Sequence, residues 1–295
     1  MNEGVPRLRC GRFVIDLSRP RVMGIVNITP DSFSDGGRFH ETGAAIRQAE
    51  RLIEEGADLI DLGAESTRPG ATPVSLDVEV SRLLPVLAAL RDATVPISVD
   101  TMKPDVMARV LDAGASMLND VAGFASAASR EVVTTSNCAL CAMHMQGTPQ
   151  TMQDKPRYDD VVAEVARELR ARTNALIADG VAHDRLLIDP GFGFGKTLEH
   201  SLALLRRLDE LGSLGFPILV GVSRKGMIGT ITGRPVDERL AGSLAAALVA
   251  IERGARIVRV HDVAATVDAI KVWVSTRSSR GPVIASAVSK PGRVA

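Results

Sequence analysis

Eight polar residues of this 295-residue chain, Asn27, Arg68, Asp100, Asn119, Asp189, Lys225, Arg259 and His261, stand at or beside the ends of short apolar runs. They divide by chemistry. Asp100, Asn119 and Asp189 offer two carboxylates and an amide, the acceptors required by a planar heterocycle that carries amino and ring N–H donors plus a carbonyl. Arg68, His261 and Asn27, with the hydroxyls of the loops around them, suit a phosphate, which arginine can grip through two parallel hydrogen bonds. The combination predicts a purine-like or pteridine-like ring attached to a phosphorylated arm. Any one of the eight is explained by ordinary satisfaction of a polar group at a strand end. Eight of such mixed chemistry make a ligand site the better reading.

Residues so far apart in sequence meet only if the fold gathers them. In RVMGIVNITPDSFSDGG, Arg21 to Gly37, the run Val22 to Ile28 is too short and too β-branched for a helix and reads as a buried strand. The polar loop Thr29 to Gly37 behind it exceeds the ~2–6 residues usual in a strand-to-helix connection, although Pro, Asp, Ser and Gly also make plain turns. The plan then repeats. Strands are expected at 58–62, 96–100, 116–120, 138–144, 185–189, 217–222 and 256–260. Helices are expected at 43–55, around Val80 to Leu87, from Pro104 to Gly114, weakly over 126–136, and most regularly along Val162, Val165, Leu169 and Leu176. Eight strands alternating with helices predict an α/β fold, a single parallel (β/α)8 TIM barrel whose C-terminal strand ends converge on one face. A doubly wound dinucleotide sheet would want G-x-G-x-x-G after its first strand, and none is there.

Ahead of the barrel, LRCGRFVIDL reads as a hairpin turning at Gly11, a natural plug for the barrel bottom. Behind it the chain loses periodicity and becomes rich in Ser, Gly, Pro and basic residues, the composition of a disordered tail. The expected organisation is a hairpin element over 1–20, the barrel over 21–275 and the tail over 276–295.

Composition narrows the function classes. Lys and Arg number 35, as do Asp and Glu, so bulk charge supports neither nucleic acid nor a membrane surface as partner. Aromatics at 3% argue against stacking platforms for single-stranded nucleic acid. No apolar run approaches the ~18 residues that span a bilayer and no signal-peptide core is visible, so a soluble, cytoplasmic protein is expected.

Three features resemble sites and are better read otherwise. Cys138 and Cys141 form a C-x-x-C, but inside a strand that spacing points the thiols to opposite faces, and buried structural cysteines are expected. GFGFGKT, Gly191 to Thr197, has three residues between its outer glycines where a phosphate-binding P-loop has four. His40, His183 and His200 lie away from the strand ends, show no metal-ligand spacing and are expected on the surface. His144 sits at a strand end, where contact behind the site and a purely structural role are equally good readings.

NITPDSFSDGG, GAESTRPGA, ISVDT, LNDV, DPGFGFGKT, VGVSRK and IVRVHDV together resemble the motifs of the dihydropteroate synthase family, in order and spacing, over roughly residues 21 to 275. The resemblance implies a transferase of folate biosynthesis, the target of sulfonamides, that joins 6-hydroxymethyl-7,8-dihydropterin diphosphate to p-aminobenzoate with the help of Mg2+, in a homodimer. By motif, it implies that Asp100, Asn119, Met143, Asp189, Lys225 and Arg259 hold the pterin, and that Asn27, Thr67, Arg68, Arg259 and His261 hold the diphosphate, Asn27 also being the metal ligand. Phe33, Asp35, Thr67, Pro69, Phe194, Lys225 and Gly226 would surround the aminobenzoate, with Lys225, Arg68 and Asp35 closest to the chemistry. The long loops 29–37 and 65–72 would close over the reactants. One departure stands out: many relatives carry serine where this chain has Gly226. A pterin-binding methyltransferase domain and a non-catalytic folate-binding protein are the alternatives, although neither needs Arg68, Lys225 and His261 together.

Overall fold

A computed structural model of the chain describes residues 6–28, 37–67 and 70–277, residues 37–41 by their backbone alone. The hairpin forms as read: β1 (Arg7–Cys10) pairs antiparallel with β2 (Phe13–Asp16). Eight parallel strands then close on themselves: β3 (Arg21–Asn27), β4 (Leu59–Gly63), β5 (Ile97–Asp100), β6 (Met117–Asp120), β7 (Ala139–Met143), β8 (Leu186–Asp189), β9 (Ile218–Val220) and β10 (Ala255–Val260). Their order around the barrel is that of the sequence, with β10 returning to pair with β3.

Period-two alternation gives each strand one row facing the barrel axis and one facing the helices, so there are two cores. The inner one takes Met23, Leu59, Met117, Cys141, Leu187 and Ile257, and the hairpin supplies Leu8, Cys10, Ile15 and Leu17 to seal it from below. Each fully buried side chain of this kind stabilises the fold by ~1.5–3 kcal/mol, which is why a hairpin of two four-residue strands stays attached. The outer core packs the other row against the helices, and Cys138 belongs to it. The two cysteines of the C-x-x-C therefore lie in different cores, and Cys10, Cys138 and Cys141 are all buried free thiols.

Helices follow the apolar stripes, some of them opened by a side-chain cap. They are α1 (Gly37–Glu54), α2 (Leu76–Ala89), α3 (Pro104–Asp112), α4 (Ala127–Thr134), α5 (Val161–Ala178), α6 (Leu198–Arg206), α7 (Gly226–Thr232), α8 (Leu240–Glu252) and α9 (Val263–Arg277). Ser75, Ser126 and Asp160 cap α2, α4 and α5 through side-chain oxygens that accept backbone N–H groups of the first turn.

Several boundaries differ from the sequence reading. The first helix starts at Gly37 rather than Gly43, because its opening turn carries no apolar stripe to betray it. The second barrel strand starts at Leu59 rather than Asp58: the Asp58 carboxylate accepts from the Val22 N–H at 2.9 Å and from Arg21 Nη1 at 2.8 Å, tying the two strand starts together instead. The last helix runs to Arg277, past 275, since Arg277 pairs with Glu252 and lies over the Trp273 ring. Residues 278–295, where the tail was expected, lie outside the described residues. Finally, His200 is no idle surface group: Thr197 Oγ1 accepts from the His200 N–H while His200 Nδ1 accepts from the Thr197 N–H, both at 3.2 Å, a reciprocal cap for α6. His183 stacks on Phe216 at 4.4 Å between centroids.

Candidate active site

Strand register builds the floor of the site. Asn27 aligns with Gly63, Gly63 with Asp100 and Asp100 with Asn119, so three of the polar strand-end residues fall in one tier around the C-terminal rim. Asp61, two residues before Gly63 and thus on the same inward row, is completely buried beneath them. Arg259 of β10 crosses the barrel to this group, donating from Nε to Asp61 Oδ2 at 2.6 Å and from Nη2 to Asp100 Oδ2 at 3.1 Å. Asn119 Nδ2 also donates to Asp61 Oδ2, at 3.4 Å.

Two acceptors of this floor have no hydrogen-bond partner among the described residues, Asp61 Oδ1 and Asn119 Oδ1, both buried. A buried acceptor left unpaired costs ~1–3 kcal/mol. The site is therefore primed for a ligand that brings N–H donors. Burial pushes the Asp100 carboxyl up to about 7, against the pull of Arg259 and with the help of Asp61. Burial opposes the charge on Arg259, but Asp61 and Asp100 outweigh it and hold the guanidinium above its ordinary pKa.

Beside the floor, β7 and β8 align Met143 with Asp189, and Asp189 Oδ1 accepts from the Gly191 N–H at 2.7 Å. Burial raises the Asp189 pKa, with Lys225 opposing. Lys225, the residue before α7, donates from Nζ to the Phe192 carbonyl and lies 4.6 Å from the centre of the half-buried Phe194 ring. Burial depresses its pKa to about 8, against Asp189 and Asp100. Asp189, Lys225 and Phe194 thus form one wall, with carboxylate, ammonium and aromatic face in contact range of a planar ring.

The adjoining stretch of the rim belongs to the ends of β9 and β10. Ser223 Oγ is 3.1 Å from His261 Nδ1 and accepts from the His261 N–H at 3.2 Å. Arg224 has a left-handed backbone at φ 57°, uncommon for a side chain of its size. It is held there by Asp262, which accepts from Arg224 Nε at 2.9 Å and from Nη2, and by its own N–H donating to Ser243 Oγ at 2.9 Å.

Thr67 ends the described part of the β4–α2 loop and is half-buried. The base of this loop is fastened by Lys103, whose Nζ reaches Glu65 Oε2 at 2.9 Å, Glu79 Oε2 at 2.7 Å and the Val74 carbonyl at 2.8 Å. Phe33, Asp35, Arg68 and Pro69 lie outside the described residues. Gly226 is exposed, and among the described residues a Cβ added to it would meet no atom within 4 Å.

The structure thus brings together Asn27, Asp100, Asn119, Met143, Asp189, Phe194, Lys225, Arg259 and His261 on one rim, as the strand-end reading requires. It adds Asp61, Ser223 and Lys103, which that reading did not assign to the site. Asp61 had a visible signal: in DLIDLG it is the one charged residue on the inward row of an otherwise apolar strand. Among the described residues no three His, Cys, Asp or Glu side chains group as metal ligands, and no helix is long and apolar enough to cross a membrane.

Comparison with known proteins follows the same line. The family model described as pterin binding enzyme matches residues 23–261. A dihydropteroate synthase of Neisseria meningitidis serogroup B is 51% identical over 272 residues, which cover 90% of this chain and 95% of that protein. Among solved structures, a dihydropteroate synthase of Xanthomonas albilineans with 4-aminobenzoic acid superposes with a TM-score of 0.88 at 50% identity, covering 93% of this chain and 99% of the other. One from Burkholderia cenocepacia, complexed with 7,8-dihydropteroate, gives 0.84 at 50% identity, covering 92% and 96%. With a barrel whose rim pairs buried acceptors with a lysine and an arginine, the chain belongs to the pterin-binding enzyme family and, within it, to the dihydropteroate synthases.

Proposed function

We infer that the chain joins 6-hydroxymethyl-7,8-dihydropterin diphosphate to p-aminobenzoate, forming 7,8-dihydropteroate and releasing diphosphate, the step of folate synthesis that sulfonamides block. The observation that carries the site reading is the pair of buried, unpartnered acceptors, Asp61 Oδ1 and Asn119 Oδ1, among Asp100, Asp189 and Lys225. A pterin ring presents the complementary N–H groups.

In this reading Asp100, Asn119 and Asp189 accept from the ring, Lys225 donates to its carbonyl side, and Met143 and Arg259 flank its faces. Negative charge in this pocket favours the electron-deficient pterin as the C–O bond to diphosphate weakens. Asn27, Thr67, Arg68, Arg259 and His261 receive the diphosphate, and Ser223 orients the His261 ring. Phe33, Asp35, Pro69, Phe194, Lys225 and Gly226 surround the aminobenzoate. Its amine attacks the methylene carbon as diphosphate departs, so no side-chain nucleophile is needed. The amine proton leaves to solvent.

A metal ion fits this donor set only in a particular way. Mg2+ in phosphate-transfer sites is ordinarily held by one or two protein oxygens together with phosphate oxygens and water. Asn27, on the rim beside side-chain-free Gly63, would add its amide oxygen. When bound, Mg2+ would neutralise charge on the leaving diphosphate. The exposed apolar residues Ile231, Val236, Leu240 and Val249 on and around α7 and α8 support a homodimer, in a cytoplasmic enzyme.

The test is turnover. Incubated with the pterin diphosphate, aminobenzoate and Mg2+, the protein is expected to yield dihydropteroate and diphosphate in equal amounts. Pterin binding without product would favour a non-catalytic folate-binding protein, and methyl transfer to a corrinoid a methyltransferase.

A further inference from the structure

The GFGFGKT segment, which fails as a P-loop, has a different use. Gly191 and Gly195 have φ of 68° and 62°, and a Cβ on either would fall 1.9 Å from the His144 carbonyl oxygen and 2.7 Å from that of Gln146. Here glycine is required twice over, by conformation and by the direct contact of two backbones. The β8–α6 loop is thus pressed onto the chain leaving β7.

Four consecutive carbonyls of that loop each receive a donor from a distant or sealed side chain. Phe192 takes Lys225 Nζ, Gly193 takes Gln153 Nε2 at 2.7 Å, Phe194 takes Lys196 Nζ at 3.0 Å and Gly195 takes the Tyr158 hydroxyl at 2.9 Å. Lys196 is 4% exposed, and its Nζ also reaches His144 Nδ1 at 2.9 Å and the His144 carbonyl at 3.4 Å. Burial lowers the Lys196 pKa to about 7; in its ammonium form it has three donors and no acceptor, so these three contacts saturate it and put the imidazole proton on Nε2, which faces Glu168 Oε2 at 3.5 Å. Burial, with Lys196 adding to it, lowers the His144 pKa to about 3, so the ring stays neutral and can accept.

We propose that Lys196 is a positioning residue for the aminobenzoate half of the site: it rivets the β8–α6 loop to the end of β7 and so holds the Phe194 ring and the Phe192 carbonyl against Lys225. The proposal rests on the function given above. Asp189 stands at the end of β8 and touches the loop only through the Gly191 N–H, and Lys225 serves both halves, so the pterin half depends on the rivet less than the aminobenzoate half does.

Lys196→Met keeps the aliphatic stem and removes the donors. In the purified enzyme its KM for aminobenzoate is expected to rise about tenfold, the effect of losing a charge-assisted bond. The KM for the pterin diphosphate is expected to change less than about twofold, within ordinary surface-mutation effects. Equal rises in both constants with a lowered Tm would mark a merely structural lysine and overturn the proposal, as would two unchanged constants. If Lys196→Met does not fold, His144→Leu removes the ring acceptor but leaves the two carbonyls, and a selective aminobenzoate effect of about threefold is expected. Its absence likewise overturns the proposal. A wild-type enzyme that forms no dihydropteroate would instead refute the function and leave the rivet's geometry standing.

Discussion

Arg259 and Asp61 are 198 residues apart in sequence and meet at 2.6 Å inside the barrel. The contact closes the site across strands from opposite ends of the chain. Asp61 is fully buried and shares the guanidinium with Asp100, so Arg259 is aimed before any substrate arrives. Removing one partner of a buried pair strands the other, at a cost of ~3–5 kcal/mol. Asp61→Asn preserves volume, yet is expected to lower folding stability by ~3 kcal/mol and kcat by at least about tenfold. Urea unfolding and steady-state kinetics check this. Wild-type values for both would mean that Arg259 is oriented by Asp100 alone.

The Asp100 carboxyl, pushed by burial from its ordinary 3.8 to about 7, makes the ligand-free protein pH-sensitive in a definite sense. Below the ordinary value the group is neutral folded and unfolded. As pH rises towards 7 the unfolded chain releases the proton first, and stability falls. Asp100→Asn removes this component. The Tm difference between variant and wild type is expected to move in the variant's favour from about pH 5 to about pH 7.5. A difference constant with pH would show that Asp100 is already ionised in the fold.

Gly226 opens α7 next to Lys225, and among the described residues no atom occupies the place where a side chain would stand. Gly226→Ser therefore meets no steric hindrance from them. A neutral hydrogen bond contributes ~0.5–1.5 kcal/mol, so aminobenzoate and sulfonamides should bind up to about tenfold tighter in the variant. Michaelis constants and sulfonamide inhibition in both forms decide it, and no change in either would show that water serves as well as the hydroxyl.

Much of this architecture was legible in the sequence because the barrel converts a one-dimensional signal into a place: a polar residue closing an apolar run lands on the rim. Asn27, Asp100, Asn119 and Asp189 were readable for that reason. Asp61 lies one step further down the same inward row, where attention to strand ends passes over it. The roles of Lys196 and His144 depend on which backbones touch, and neither spacing nor periodicity encodes that. His200 takes the position where a capping box ordinarily carries Glu or Gln, so a search for those residues overlooks it.

The central claim, that the rim acceptors recognise a pterin, is tested most directly by calorimetric titration of the pterin diphosphate into wild-type protein and Asp189→Asn. The substitution turns one acceptor oxygen into a donor facing donors, a loss of ~1.5–3 kcal/mol, so affinity should fall about 10- to 100-fold with the fold unchanged by circular dichroism. Equal affinity in the two proteins would contradict the account.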